Sequence, residues 1–168
     1  MSELTFKGQA IGVEGKFPQV GEKAPDFSLI DSTLSIIYKK DLQGKKLVMN
    51  IFPSIDTPVC ATQLRKFNQQ LSDRDDVNLL FASLDLPFAY SRFCAAEGID
   101  NVITTSDYLT HSLAASYGVK MSSGPLAGLY ARAVIILNEA HESIYSPLVN
   151  EVTDEPNYDA ALTALAVN

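Results

Sequence analysis

Lys46-Leu-Val-Met-Asn-Ile-Phe-Pro-Ser-Ile-Asp-Thr-Pro-Val-Cys60 is the stretch from which the rest of the chain can be placed. The apolar run 47–52 reads as a buried strand, and Pro53 ends it because proline offers no ladder donor. Thr57-Pro58 then reads as a helix start, with threonine at the N-cap and proline at the first helical position, where a missing N–H costs nothing. Cys60 falls at the third helical position, in the first turn of a helix that continues through Ala-Thr-Gln-Leu-Arg-Lys-Phe67.

The free N–H groups and the dipole of a helix start stabilise negative charge, and the reactive form of cysteine is the thiolate. An ordinary thiol, with a pKa of about 8.5, is only about 3% ionised at neutral pH, so stabilising the thiolate yields up to roughly thirtyfold more of it. Two readings of Cys60 follow from its position: a reactive thiolate, or a small buried hydrophobe.

Working outward, the helix after Cys60 carries Leu64, Phe67 and Leu71 on one face and Arg65, Gln69 and Asp73 on the other. The run 77–84 is a second buried strand, and strand, helix and strand in this order make a parallel βαβ unit. Asp85 reads as the cap of a further helix that runs through Arg92, Phe93 and Cys94 to a glycine stop at Gly98. By itself Cys94 reads as a buried small residue. A short strand over 101–105, a short helix over 109–117 and a glycine- and proline-bearing loop over 121–128 follow.

The run 130–137 is the third strong strand, and it contains Arg132. A guanidinium inside such a run either meets an anion, since an unpaired buried charge costs several kcal/mol, or reaches water from the strand end. Asn138-Glu-Ala-His141 reads as a hairpin turn into a strand over 143–149, with His141 solvated, and Glu155-Pro156 opens a last helix bearing Tyr158, Leu162 and Leu165. His111 reads as a helix-surface residue. Before the central stretch come a hairpin of 4–6 with 11–13, a connector over 15–25, strands over 26–30 and 34–38, and a helical turn over 41–44. The pattern predicts an α/β domain with a central mixed sheet of about four or five strands flanked by helices and preceded by a hairpin. The sum resembles a thioredoxin-like fold.

The 168 residues, 46% of them hydrophobic, suit one domain over 1–168. A net charge of −7 argues against a nucleic-acid surface, which needs a basic face. No stretch has the length of a membrane span, and Met1-Ser-Glu-Leu-Thr-Phe-Lys-Gly8 lacks the basic start and apolar block of a secretory signal, so a cytoplasmic location is expected. Two cysteines are too few for a disulfide scaffold, and with the two histidines they show no zinc-ligand spacing.

Pro53, Thr57 and Cys60 stand as Pro-x-x-x-Thr-x-x-Cys, which resembles the active-site motif of the peroxiredoxins. Together with Arg92-Phe-Cys-Ala-Ala-Glu-Gly98 and Gly124-Pro-Leu-Ala-Gly-Leu-Tyr-Ala-Arg-Ala-Val134, it is similar to the thiol peroxidase branch of that family, over nearly the whole chain. The resemblance implies a peroxidase in which Cys60 is the peroxidatic cysteine, forming a sulfenic acid. Cys94 would resolve it as an internal Cys60–Cys94 disulfide, Thr57 and Arg132 would form the polar activating pair, and Pro53 would shield the pocket. It further implies hydrogen peroxide and alkyl or lipid hydroperoxides as substrates, thioredoxin as reductant, a homodimer, and no metal or organic cofactor. A non-enzymatic thiol redox sensor or thioredoxin-binding module is the rival reading. A cysteine hydrolase is disfavoured because neither histidine lies in a recognisable signature.

Overall fold

The computed structural model describes residues 4–167, apart from the side chains at positions 115 and 167. The single domain expected over 1–168 therefore includes residues 1–3 and 168, which lie outside the described residues. The strands are β1 (Leu4–Phe6), β2 (Gln9–Ile11), β3 (Val13–Glu14), β4 (Ser28–Asp31), β5 (Ile36–Tyr38), β6 (Lys46–Ile51), β7 (Val77–Ser83), β8 (Ile103–Ser106), β9 (Lys120–Met121), β10 (Ala133–Leu137) and β11 (Ser143–Tyr145). The helices are α1 (Pro58–Leu71), α2 (Pro87–Glu97), α3 (Ser112–Tyr117) and α4 (Tyr158–Val167), and a 3-10 turn spans Lys39–Leu42.

One seven-stranded sheet runs β11-β10-β6-β7-β8-β4-β5. Strands β6, β7 and β8 are parallel to one another and the remaining neighbours are antiparallel, which makes the expected mixed sheet. The expected four or five strands are an undercount. Each of the seven had a sequence signal, but the hairpin β4–β5 joins only by pairing with β8, more than seventy positions downstream, and no local pattern encodes that pairing.

Continuous apolar runs in β6, β7 and β10 reflect burial on both faces, and the pleat sorts their side chains. Leu47, Met49, Ile51, Leu80, Ala82 and Ile135 point to one layer, which packs against Leu113 and Tyr117 of α3. Val48, Leu79, Phe81, Val134 and Ile136 point to the other, where α1 and α4 supply Leu64, Phe67, Leu71, Ala161 and Leu165. Asn50 and Arg132 have the parity of that second face. In register, Val134 lies opposite Asn50 and Ala133 opposite Ile51, so Arg132 follows directly beyond the end of the ladder.

Several boundaries differ from the sequence expectation for identifiable reasons. The N-terminal hairpin turns on Lys7 and Gly8 alone, at φ of 50° and 80°, the two positive-φ positions of a tight turn. Val13 therefore leaves the hairpin and pairs with Met121. Helix α3 starts at Ser112 rather than 109 because the buried carboxylate of Asp107 collects the N–H groups of Ser112 and Leu113 at 2.9 and 2.8 Å. Helix α4 starts after Asn157, whose Oδ1 accepts the Ala160 N–H at 3.0 Å, and not at Glu155-Pro156. His141 is 1% exposed, not solvated: the hairpin connection folds inward, and its Nε2 lies 3.3 Å from the Leu42 carbonyl. His111 is exposed at the N-cap of α3, as expected. Among the described residues no helix is long and apolar enough to cross a membrane.

Candidate active site

The βαβ unit places the start of α1 at the C-terminal edge of the parallel strands. Thr57 is the N-cap, Pro58 opens the helix, and Cys60 stands in its first turn. The threonine hydroxyl does not cap the helix. It donates to the Ser54 carbonyl at 2.8 Å, while the Thr57 carbonyl accepts the Ala61 N–H at 3.0 Å. The first turn thus carries no side-chain acceptor that would compete with a nearby anion for its N–H groups.

Cys60 is 0% exposed and belongs to the apolar cluster between the sheet and α1, yet its sulfur has a cationic partner. Arg132, 2% exposed, points Nη1 at the Cys60 Sγ from 3.1 Å. The same nitrogen donates to Gln63 Oε1 at 3.0 Å, and Nε and Nη2 donate to the Val152 carbonyl at 3.1 and 2.9 Å. Of the two alternatives for Arg132, the structure has the buried one. Among the described residues it forms no ion pair with a carboxylate, so its only ionisable hydrogen-bond partner is the thiol.

Gln63 and Asn50, both 0% exposed, were not singled out from the sequence. Gln63 Nε2 donates to Asn50 Oδ1 at 2.9 Å, and Asn50 Nδ2 reaches the Leu80 carbonyl at 3.4 Å. This chain fixes the amide so that its oxygen faces Arg132. The signal was present: a polar residue in the apolar run of β6, with the same parity as Arg132, and a glutamine one turn after Cys60.

Val152, the other anchor of Arg132, is held by the N-terminal hairpin. Its N–H donates to the Thr5 carbonyl at 2.9 Å. Next to it the Glu151 carboxylate accepts from Thr5 Oγ1, Lys7 N, Gly8 N and both Thr153 N and Oγ1. The backbone N–H groups of Thr153 and Gly8 lead in holding Glu151 down to about 2.

Pro53 is buried at the end of β6, and Ser54 to Thr57 form the loop between strand and helix. Asp85 was expected to cap α2, but no side chain caps that helix, whose N-cap is Leu86. Asp85 turns back to the loop and accepts the Ser54 hydroxyl and the Ile55 N–H, both at 2.7 Å. Cys94 is half-buried on α2, two turns from Pro87, and both cysteines are free thiols. Burial pushes the Cys94 thiol up from its ordinary value. Tyr90, buried in the same cluster as Cys60, packs its ring at a tilt against Phe52, with centroids 6.3 Å apart, and burial pushes its hydroxyl well up. Ion pairs tie α2 to the site: Arg92 to Asp56 at 2.9 Å, and Glu97 to Arg65 of α1.

An open cleft of about 500 Å³ lined by Lys66, Gln70, Asn157 and Leu162 lies between α1 and α4 and does not include Cys60. The buried Cys60–Arg132 pair lies apart from that cleft. That pair can hold a thiolate in a medium where a fixed donor acts strongly.

A family model described as Redoxin matches residues 19–162. The chain is 44% identical, over 98% of its length and 99% of the relative's, to a thiol peroxidase from Corynebacterium glutamicum. Among solved structures it is similar to a peroxiredoxin-like protein from Aquifex aeolicus, at 34% identity and a TM-score of 0.91, covering 99% of this chain and 97% of that one. A thiol peroxidase from Chromobacterium violaceum shares the fold at a TM-score of 0.90 and 22% identity, again over 99% and 97% of the two chains.

Proposed function

The chain belongs to the redoxin family, as a thiol peroxidase of the peroxiredoxin kind, and from that premise we propose that Cys60 is the peroxidatic cysteine, activated by Arg132 and resolved by Cys94. The observation that carries this reading is the 3.1 Å contact between Arg132 Nη1 and Cys60 Sγ, made by a buried cation with no carboxylate partner among the described residues.

The Cys60 thiolate attacks the terminal oxygen of ROOH. The new S–O bond takes the sulfur pair, the O–O bond breaks, and the departing oxygen leaves as RO⁻ and gains a proton to become ROH. Sulfur is oxidised by two electrons to the sulfenic acid. Lowering a thiol's pKa also weakens its nucleophilicity, so ionisation alone does not make this step fast. The guanidinium stabilises the developing alkoxide as well as the thiolate, and a preorganised donor of this kind contributes about 3 kcal/mol. Thr57 gives its only proton to Ser54, which leaves its lone pairs to accept from the hydroperoxide O–H. Pro53 helps to close the site against water.

The Cys94 thiolate then attacks the sulfenic sulfur. The S–S bond forms, hydroxide leaves, and protonation gives water. Disulfide geometry needs Cα atoms within about 7 Å, and Cys60 begins this step fully buried. The first turn of α1 or the Cys94 segment of α2 unwinds to allow it, since single helix turns open at low cost. Hydrogen exchange compared between reduced and disulfide forms reads this directly, and unchanged protection in both segments contradicts it.

A dithiol donor such as thioredoxin closes the cycle by exchange with the disulfide. Exposed apolar side chains at the same edge of the sheet, Leu86 and Phe88 (64% exposed) at the start of α2 and Leu109 after β8, suit contacts with that donor or with a second copy in a homodimer. Hydrogen peroxide and alkyl or lipid hydroperoxides are the proposed substrates, and the cytoplasm the proposed compartment. The test is sustained hydroperoxide consumption with thioredoxin and its reductase. Cys60→Ser abolishes it, and Cys94→Ser permits one oxidation without forming a disulfide. A single turnover by the unmodified chain would instead favour a redox sensor.

A further inference from the structure

Asp85 has three side-chain partners, and none of them lies in the helix it precedes. Oδ1 accepts the Ser54 hydroxyl at 2.7 Å, and Oδ2 accepts the Ile55 N–H at 2.7 Å and the Ser83 hydroxyl at 2.6 Å. A carboxylate only accepts, which fixes the direction of every bond around it. Ser83 gives its one proton to Asp85, so the Tyr90 hydroxyl, 2.6 Å from Ser83 Oγ, is the donor there. Ser83 also accepts the Asp85 N–H at 3.1 Å and is then saturated.

Ser54 likewise gives its proton to Asp85 and accepts the Asp56 N–H at 3.1 Å. Its carbonyl receives both the Thr57 N–H at 3.1 Å and the Thr57 hydroxyl at 2.8 Å. One unbroken chain of hydrogen bonds thus runs from Tyr90 on α2 through Ser83, Asp85 and Ser54 to Thr57, whose carbonyl takes the Ala61 N–H beside Cys60. Burial pushes the Tyr90 hydroxyl up, its bond to Ser83 opposes that, and the neighbouring Asp85, Cys60 and Cys94 add to the rise.

We propose that Asp85 is a positioning residue for the peroxide-reducing step. Through Ser54 it holds Thr57 and the first turn of α1 aligned with Arg132, and through Ser83 and Tyr90 it makes that alignment depend on the seating of the Cys94 helix. The proposal rests on reading Cys60 as the peroxidatic sulfur. Two charge-assisted hydrogen bonds to the loop, with a third that anchors Asp85 to Ser83, are a rigid constraint on a loop that otherwise has its own turn bonds and the exposed Asp56–Arg92 ion pair. A misplacement of about 1 Å at a reacting group costs up to roughly a hundredfold in rate, so releasing the loop acts on the first step. Movement of α2 towards resolution pulls on Tyr90 and loosens the same loop, so one network serves both halves of the cycle.

The test separates the two steps. Oxidation of Cys60 by hydrogen peroxide is followed in the Cys94→Ser background by sulfenic-acid trapping, with Asp85 intact or replaced by Asn. Disulfide formation is followed with Cys94 in place. Asp85→Asn is expected to slow Cys60 oxidation by about tenfold to a hundredfold while disulfide formation keeps its rate or rises. Ser54→Ala, which removes the Oδ1 arm together with the acceptor of the Asp56 N–H and leaves the Oδ2 bonds in place, gives a smaller loss in the same direction and serves if the Asn variant does not fold. Oxidation at the parent rate or faster overturns the proposal, as does an equal slowing of both steps with a lowered Tm. If peroxide leaves Cys60 of the parent chain unmodified, the peroxidatic reading itself falls, whatever the Asp85 variants do.

Discussion

Arg132 Nη1 lies 3.1 Å from Cys60 Sγ, and among the described residues no carboxylate forms an ion pair with that guanidinium. That buried cation has two carbonyl-type acceptors and one ionisable sulfur in contact, while the Glu155 carboxylate acts on it from beyond ion-pair distance. The donor aimed at the sulfur is the feature on which the proposed peroxidatic role of Cys60 rests.

Arg132→Met removes both the counter-charge and the donor to the departing oxygen. Cys60 oxidation by peroxide is expected to slow by about 10² to 10³. Arg132→Lys does not restore the rate, because one ammonium cannot span Val152, Gln63 and the sulfur as the planar fork does. Single-turnover oxidation checks this. An unchanged rate in the Met variant removes Arg132 from the activating role.

Gln63→Glu is the sharper perturbation because it is nearly isosteric. A carboxylate at Oε1, 3.0 Å from Arg132 Nη1, would pair with the guanidinium and compete with the thiolate for its charge. It also loses the Nε2 donor to Asn50. The variant is expected to lose peroxide reactivity while keeping its packing. Gln63→Met, which takes away the amide without adding charge, should lose less. Equal activities for the two variants would mean that competition for charge is not the operative effect.

How much of this was legible beforehand follows from where each signal resides. The start of α1 is local, encoded by Pro53, Thr57 and Pro58, and so the position of Cys60 could be read directly. Arg132 was legible only as a problem, a charge in an apolar run, because its solution required the register that sets Val134 opposite Asn50. Asn50 had the right parity and Gln63 stood one turn after Cys60, but both looked like ordinary polar residues. Asp85 was misread because an acid ahead of a helix is locally a cap, and only the packing of β7 beside the Cys60 loop offers it better donors. His141 was misread for the same reason: burial of a turn is a tertiary fact.

Stability should fall with acid in two separate windows. His141 is held below its ordinary value of 6.5, by burial first, with Lys39 and Lys23 adding to it and the Leu42 carbonyl and Asp26 opposing. The unfolded chain binds that proton more readily, so this contribution is complete above about pH 6.5 and declines below it. Glu151 is held down from 4.5 to about 2, so its contribution is complete above 4.5 and is lost progressively as pH falls towards 2. Urea midpoints measured across pH should show both declines. His141→Gln should flatten the upper one, and Glu151→Gln should reduce the lower one, in which Asp31, Asp76, Glu97 and Glu155, also held down, share. A variant that leaves its decline at full size contradicts the assignment.

The rate of disulfide formation should respond to salt, whereas the oxidation of Cys60 should not. Helix α2 is joined to the Cys60 loop by Arg92 and Asp56 and to α1 by Arg65 and Glu97, and these groups are substantially exposed. Exposed pairs of this kind are weak and screened within a Debye length of about 10 Å at ordinary ionic strength. The Cys60–Arg132 contact is buried and far less screened. Raising salt therefore loosens the attachment of the Cys94 helix and leaves the Cys60–Arg132 pair intact. Asp56→Asn with Glu97→Gln should speed disulfide formation by about two- to fivefold at low salt and remove most of its salt dependence. Once the helix opens, the burial that pushes the Cys94 thiol up is relieved and more of it is available as the attacking thiolate. Stopped-flow measurement of both steps across ionic strength decides the matter. A salt effect of equal size on Cys60 oxidation would mean that these pairs hold the peroxidatic site itself and not the helix that resolves it.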